Sequence, residues 1–245
     1  MSKEMIWDYT LATEDVDASA RLSAQGLLSL LQRAATAHGR ELAVDFETML
    51  RESNAYWVVT KVRGTFGEKV GWNEPLTVET WPLPSGRITC ERDMTVKTAS
   101  GAVAACVASE WCLLDWDTHR LRKVESTCFP SSEGMRTDRA GAGDFLRANR
   151  KTEGMELVYS HTVRYTDMDI NCHTNNVVYA KLAMDTQPFA FWKENPPRWF
   201  EIHFLRESHE GDVLSLYREA TEDGLRIVGA NQDGDAVFVF YVGLS

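Results

Sequence analysis

Basic charge is scarce in this chain. Its 26 lysines and arginines face 36 aspartates and glutamates, for a formal net charge of −10. Nucleic-acid binding needs a broad basic footprint, so no nucleic-acid partner is expected. Long apolar runs are missing too. No stretch approaches the roughly 18 residues that a spanning helix needs, so no membrane partner is expected. The start, Met1-Ser2-Lys3-Glu4-Met5, lacks the basic and apolar regions of a signal peptide, and a cytoplasmic location is the expectation. Cysteines are few: Cys90, Cys106, Cys112, Cys128 and Cys172. Their odd number and the lack of a C-x-x-C pair exclude a disulfide framework and a structural zinc site. Cys90, Cys106 and Cys112 sit in apolar runs and read as small core residues. No metal and no cofactor is expected.

The chain's 245 residues suffice for one large domain or two small ones. Ser23 to Gly39 reads as a helix, with Ser23 as cap and Leu27, Leu28, Leu30, Leu31, Ala34 and Ala35 as its apolar side. Strand-like runs follow at 55–66, 75–81, 88–98 and 102–115, punctuated by Gly71, Pro82, Gly86 and Gly101. Residues 135–154 are polar and glycine-containing and read as a linker, with a short helix around 144–149. The pattern then restarts. A strand at 157–166 precedes a helix at 177–192, apolar on nearly every side and interrupted by Pro188. Strands at 199–206, 213–220, 225–230 and 236–242 complete it.

An offset of 150 places Tyr9 on Tyr159, Asp17 on Asp167, Ser19 on Asp169, Arg21 on Asn171 and Ser23 on His173. The repeated order, one strand, one buried helix and four strands, is the stronger signal. A buried helix wrapped by a long antiparallel sheet describes a hotdog. The expected class is α+β, a double hotdog of two antiparallel sheets, each wrapping a central helix, joined edge to edge. The halves are residues 1–134 and 155–245, with the linker 135–154 between them.

The chemistry concentrates in Arg164 to Tyr179, where acids, three asparagines and a histidine crowd between a strand and an apolar helix. Some of these polar groups have plain structural readings: Asn175 or Asn176 as helix cap, Asp167 as turn former. Asp169, Asn171 and His173 are harder to explain that way, since such groups are expensive to bury unless paired. Asp167-x-Asp169-x-Asn171 resembles the start of a calcium loop. That loop needs Gly and Glu where Cys172 and Val178 stand, so calcium is rejected. Zinc needs three or four ligands, and only one histidine lies in this stretch. Cys172 neighbours His173, but adjacent side chains in an extended loop diverge, which disfavours a cysteine nucleophile.

The segment resembles the fatty acyl-acyl carrier protein thioesterases of plants and bacteria. Their motif, Asp-x-Asn-x-His-x-Asn-Asn with a tyrosine shortly after, is matched by Asp169, Asn171, His173, Asn175, Asn176 and Tyr179. Glu79-Thr80-Trp81-Pro82 and Glu110 to Asp115 look like strand motifs of the same family's N-terminal half. The resemblance implies a double hotdog over nearly the whole chain. It places Glu207, in Phe204-Leu205-Arg206-Glu207-Ser208, on the family's catalytic glutamate. A family cysteine once proposed as nucleophile is Ser208 here, which favours attack by water.

The implied catalytic set is Asp169, Asn171, His173 and Glu207, with one active site per chain. The N-terminal half would shape the acyl pocket. The implied partner is acyl carrier protein bearing a phosphopantetheine-linked fatty acyl chain. Arg147, Arg150, Lys151, Lys181, Lys193 and Arg198 are candidates for docking it. Two alternatives stand beside this reading: an acyl-coenzyme A thioesterase, and a non-catalytic acyl-binding or regulatory module. A monomer and a homodimer are both compatible with the fold.

Overall fold

The structure, a computed structural model, describes residues 4–244. Residues 1–3 of the start weighed above as a signal peptide lie outside the described residues. The order of elements is β1 (Met5–Thr10), α1 (Ala24–Glu41), α2 (Phe46–Ser53), β2 (Ala55–Phe66), β3 (Pro75–Pro82), β4 (Thr89–Thr98) and β5 (Val103–Asp115). The second half follows as β6 (Glu156–Thr162), α3 (Asn176–Met184), α4 (Phe189–Glu194), β7 (Pro197–Phe204), β8 (Val213–Thr221), β9 (Gly224–Ala230) and β10 (Ala236–Leu244).

The strands form one antiparallel sheet of ten, in the order β1-β3-β4-β5-β2-β7-β10-β9-β8-β6. The expected edge-to-edge junction is therefore a true ladder. β2 pairs with β7 from Lys61 opposite His203 to Thr65 opposite Trp199. Gly64 is required there: a Cβ on it would fall 2.5 Å from the Phe200 ring. Phe200 stacks on Phe240, with ring centroids 5.8 Å apart, so the core runs without a break across the seam. Among the described residues, no helix is long and apolar enough to cross a membrane.

Each half lays one helix on the same face of the sheet, and α1 packs against α3. Ser23 caps α1, accepting from the Gly26 amide at 3.0 Å, and Leu27, Leu28, Leu30, Leu31 and Ala34 are all buried. The second helix is two helices. Pro188 lacks the amide needed to continue α3 and instead begins α4 as its cap residue. α2 escaped the sequence reading. Its eight residues are too few for a periodic signal, although Asp45 caps it and Asn54 ends it in the left-handed region, φ 47°.

The expected helix at 144–149 does not form. The backbone of this segment is spent on the sheet instead, on the face opposite the helices. Asp93 accepts from the Ala140 amide, and Ala142 O accepts from Arg63 Nε. Glu201 accepts from the Leu146 amide, Tyr241 Oη accepts from the Asn149 amide, and Arg226 donates to Asn149 O and Lys151 O. These partners lie on β4, β2, β7, β10 and β9, so the linker is a strap laid across both halves. Beneath it, Glu201 binds Arg63 at 2.8 Å and His203 at 2.6 Å, locking the two seam strands together.

Candidate functional site

β6 gives way to a short helical turn at Tyr165–Asp167. The Asp167 carboxylate closes it, accepting from the Arg164 amide and from His161 Nε2, each at 2.8 Å. The Asp169 carboxylate then accepts from the Asn171 amide at 2.8 Å, while its own amide donates to His173 O at 2.9 Å. Cys172 turns the loop through the left-handed region, φ 61°. Asn175 caps α3 by accepting from the Val177 amide at 2.9 Å. Asp167 and Asn175 thus have the structural roles that turn chemistry suggested. Asn176 is the first residue of α3, and the Asn171 side chain stands exposed at the loop tip.

Of the four expected site residues, folding brings two side chains together. His173 Nε2 lies 3.4 Å from Glu207 Oε2, and both are partly exposed. Glu207 arrives from the loop after β7, and its neighbour Ser208 fixes that loop. Ser208 is 1% exposed, and its hydroxyl is bonded to Thr174 Oγ1 at 2.8 Å and Tyr179 Oη at 2.9 Å. The residue at the family's cysteine position is thus a buried brace.

Two neighbours were not foreseen. His209 meets His173 edge-on, with ring centroids 4.9 Å apart. The inference that a single histidine occupies the site holds for the sequence segment but not for the folded loop. Tyr56, from the other half, comes within electrostatic reach of Glu207. Burial raises its phenol pKa, and the charges of Glu207 and Cys112 raise it further. Its hydroxyl is bonded to His119 Nδ1 at 2.9 Å. No local spacing links residues so far apart in the chain. The buried thiols are poor nucleophiles, since burial pushes Cys90 up to about 12 and Cys112 to about 11.

The N-terminal half repeats the loop, at an offset of 152 rather than 150. Asp15 and Asp167 close the two turns. Ala20 (φ 56°) and Cys172 (φ 61°) occupy the same left-handed position. Ser23 and Asn175 are the caps. Asp17 therefore matches Asp169, Ser19 matches Asn171, and Arg21 matches His173. The Leu22 amide donates to Val70 O as the Thr174 amide donates to Ser208 O, which sets Lys69 at the place of Glu207. A cavity of about 800 Å³ opens beside this loop, lined by Arg21, Lys69, Met184, Trp192 and Arg198 among others.

The fold is a double hotdog, one ten-stranded sheet carrying a helix from each half, with a histidine–glutamate pair at the foot of its second main helix. Two family models match: "Acyl-ACP thioesterase N-terminal domain" over residues 3–129 and "Acyl-ACP thioesterase C-terminal domain" over 150–234. Together they span most of the chain, and it belongs to the acyl-acyl carrier protein thioesterase family. The oleoyl-acyl carrier protein thioesterase 1 of Arabidopsis thaliana is 22% identical over 97% of this chain and 71% of its own length. The palmitoyl-acyl carrier protein thioesterase of Gossypium hirsutum is 23% identical over 84% of this chain, which spans only 52% of that relative. Both relatives are named as chloroplastic.

Among solved structures, an acyl-ACP thioesterase from Bacteroides thetaiotaomicron matches with TM-score 0.89 and 21% identity, covering 100% of both chains. The 12:0-ACP thioesterase of Umbellularia californica matches with TM-score 0.86 and 16% identity, over 100% of this chain and 98% of the other. At these identities the structural likeness establishes the fold.

Proposed function

We propose that the protein hydrolyses fatty acyl-acyl carrier protein thioesters to free fatty acid and thiol carrier, using His173 and Glu207 as its working pair. The observation that carries this is the 3.4 Å approach of His173 to Glu207, at a loop whose N-terminal copy holds Arg21 and Lys69 instead. In the reaction, the His173–Glu207 pair takes a proton from water as the water oxygen attacks the thioester carbonyl. The tetrahedral intermediate collapses with loss of the thiolate, which receives a proton. Positioned general-base catalysis of this kind supplies roughly 10²–10⁴ in rate. The first turn of α3, with its positive dipole end, is suited to the developing oxyanion.

Asp169 shapes the loop in this account, because its carboxylate is engaged by the Asn171 amide. Asn171 stands at the exposed tip, where it can reach the incoming thioester or the attacking water. Ser208 is buried, with both of its hydroxyl contacts inside the protein, which supports water as the nucleophile.

An acidic carrier would dock on exposed basic groups. Arg147, Arg150 and Lys151 lie on the strap, across the sheet from the site. Lys181, Lys193 and Arg198 lie on or beside α3 and α4, on the helix face, and are the better candidates. All five cysteines are free, which suits a reducing compartment such as the cytoplasm. The deciding experiment compares hydrolysis of one acyl chain on acyl carrier protein and on coenzyme A. A higher kcat/KM on the carrier protein is expected. A strong preference for coenzyme A would overturn the choice of substrate, and tight binding without turnover would overturn the enzyme reading.

A further inference from the structure

We propose that His173, Glu207 and His209 form an exchangeable site for a divalent transition metal of the zinc type, and that filling it switches the hydrolase off. The inference rests on the reading of His173 and Glu207 as the working pair.

One ligand atom from each of the three residues lies within 4.8 Å of the others. Zinc bonds of about 2.0–2.2 Å in tetrahedral geometry place two ligands roughly 3.4 Å apart. His173 Nε2 and Glu207 Oε2 already have that spacing, at 3.4 Å. His209 has only to turn its ring inward. Its side chain is 57% exposed, and its backbone is anchored by its amide, which donates to Asp212 Oδ2 at 2.8 Å.

The same Asp212 oxygen lies 3.9 Å from His209 Nδ1. At that distance Asp212 makes no hydrogen bond to the ring, but it places a negative charge beside it that favours a cation nearby. Two imidazoles and one carboxylate suit zinc, cobalt, nickel or copper, and not magnesium or calcium. Water would complete the shell. The metal would occupy the His173 lone pair and the Glu207 carboxylate together, so neither could accept the proton from the attacking water. Partial exposure of all three groups makes the metal exchangeable. In the N-terminal loop, Arg21 and Lys69 stand where two of the ligands would be, so one metal per chain is expected.

The test uses the full chain stripped of metal by chelator. Calorimetric titration with Zn²⁺ and the absorption spectrum with Co²⁺ read binding independently of activity. Release of free fatty acid reads turnover. Expected results are one equivalent of zinc, at least tenfold inhibition reversed by chelator, and a Co²⁺ spectrum of a nitrogen- and oxygen-bound ion. His209→Ala should keep metal-free turnover within about threefold. It should raise the half-inhibiting zinc concentration by at least about tenfold, since loss of even a hydrogen-bond partner of a ligand costs about ten- to a hundredfold. Cys172→Ser should change neither. No saturable binding would overturn the proposal. So would inhibition that follows Cys172 rather than His209, or activity that chelator abolishes. A metal-free chain with no turnover would instead sink the functional reading, and the zinc stoichiometry of His209→Ala would still decide the site.

Discussion

The two loops that lead into α1 and α3 share one backbone and differ in chemistry. Both close a turn with an aspartate, Asp15 and Asp167. Both hold the next amide but one with a second aspartate: Asp17 accepts from the Ser19 amide at 2.7 Å and Asp169 from the Asn171 amide at 2.8 Å. Both then cap the helix. That an aspartate makes the same turn bond where no histidine follows supports the proposal that Asp169 shapes the loop. What distinguishes the halves is three exchanges among the candidate site residues: Ser19 for Asn171, Arg21 for His173 and Lys69 for Glu207. Arg21 is not idle in its place. It pairs with Asp17 at 2.9 Å and reaches Trp192 O at 3.2 Å, tying the first half to the second.

The seam beneath the strap is the feature on which both halves depend, and breaking it should have the largest effect on stability. Glu201→Ala leaves Arg63 and His203 without their shared carboxylate. A loss of about 2–4 kcal/mol is expected in denaturant unfolding, because removing one member of a buried ionic network strands the others. A loss below about 0.5 kcal/mol would mean that the strap and core join the halves without it. A smaller effect is expected at the paired aspartates. Asp17→Ala and Asp169→Ala should each cost about 1 kcal/mol through the lost turn bond. Only Asp169→Ala should also slow turnover, by roughly 10²-fold, since it displaces His173. Equal activity losses would erase the distinction between the loops.

The smallest effect is a pH dependence at Glu79 of β3, where the strap's Arg136 meets the N-terminal half. Burial raises the Glu79 pKa, but hydrogen bonds from Arg136 and Lys97 outweigh it and hold the carboxyl below its usual value. A carboxylate lowered on folding contributes stability that is present above its unfolded pKa, about 4.3, and lost as pH falls through its folded value. Arg136→Ala should flatten that acid-side loss in unfolding curves between pH 5 and roughly pH 3. An unchanged slope would show that Glu79 does not sense the strap.

Much of the fold was legible because its strands are bounded by glycine and proline and its helices are strongly apolar. Ser23, Pro188 and Asn175 act where turn and cap chemistry puts them. The strap was misread at 144–149 because its backbone partners are side chains on strands distant in sequence. The repeat was misaligned by two residues. Identities at Tyr9 and Asp17 favoured 150, whereas the left-handed positions at Ala20 and Cys172 fix 152. At the site, the loop residues could be read from sequence, but their neighbours could not. Tyr56 reaches Glu207 only through the pairing of β7 beside β2, and His209, two residues after Glu207, meets His173 only where the loop after β7 folds against the entry to α3; no local pattern records either contact.

The most direct test of the central claim is the rate of thiol release from an acyl-carrier thioester by the wild-type chain, His173→Ala and Arg21→Ala, each shown to be folded. The account predicts a loss of at least about 10³-fold for His173→Ala, the scale of general-base catalysis, and turnover within about threefold of wild type for Arg21→Ala. Near-normal release by His173→Ala, or matching losses in the two variants, would contradict it.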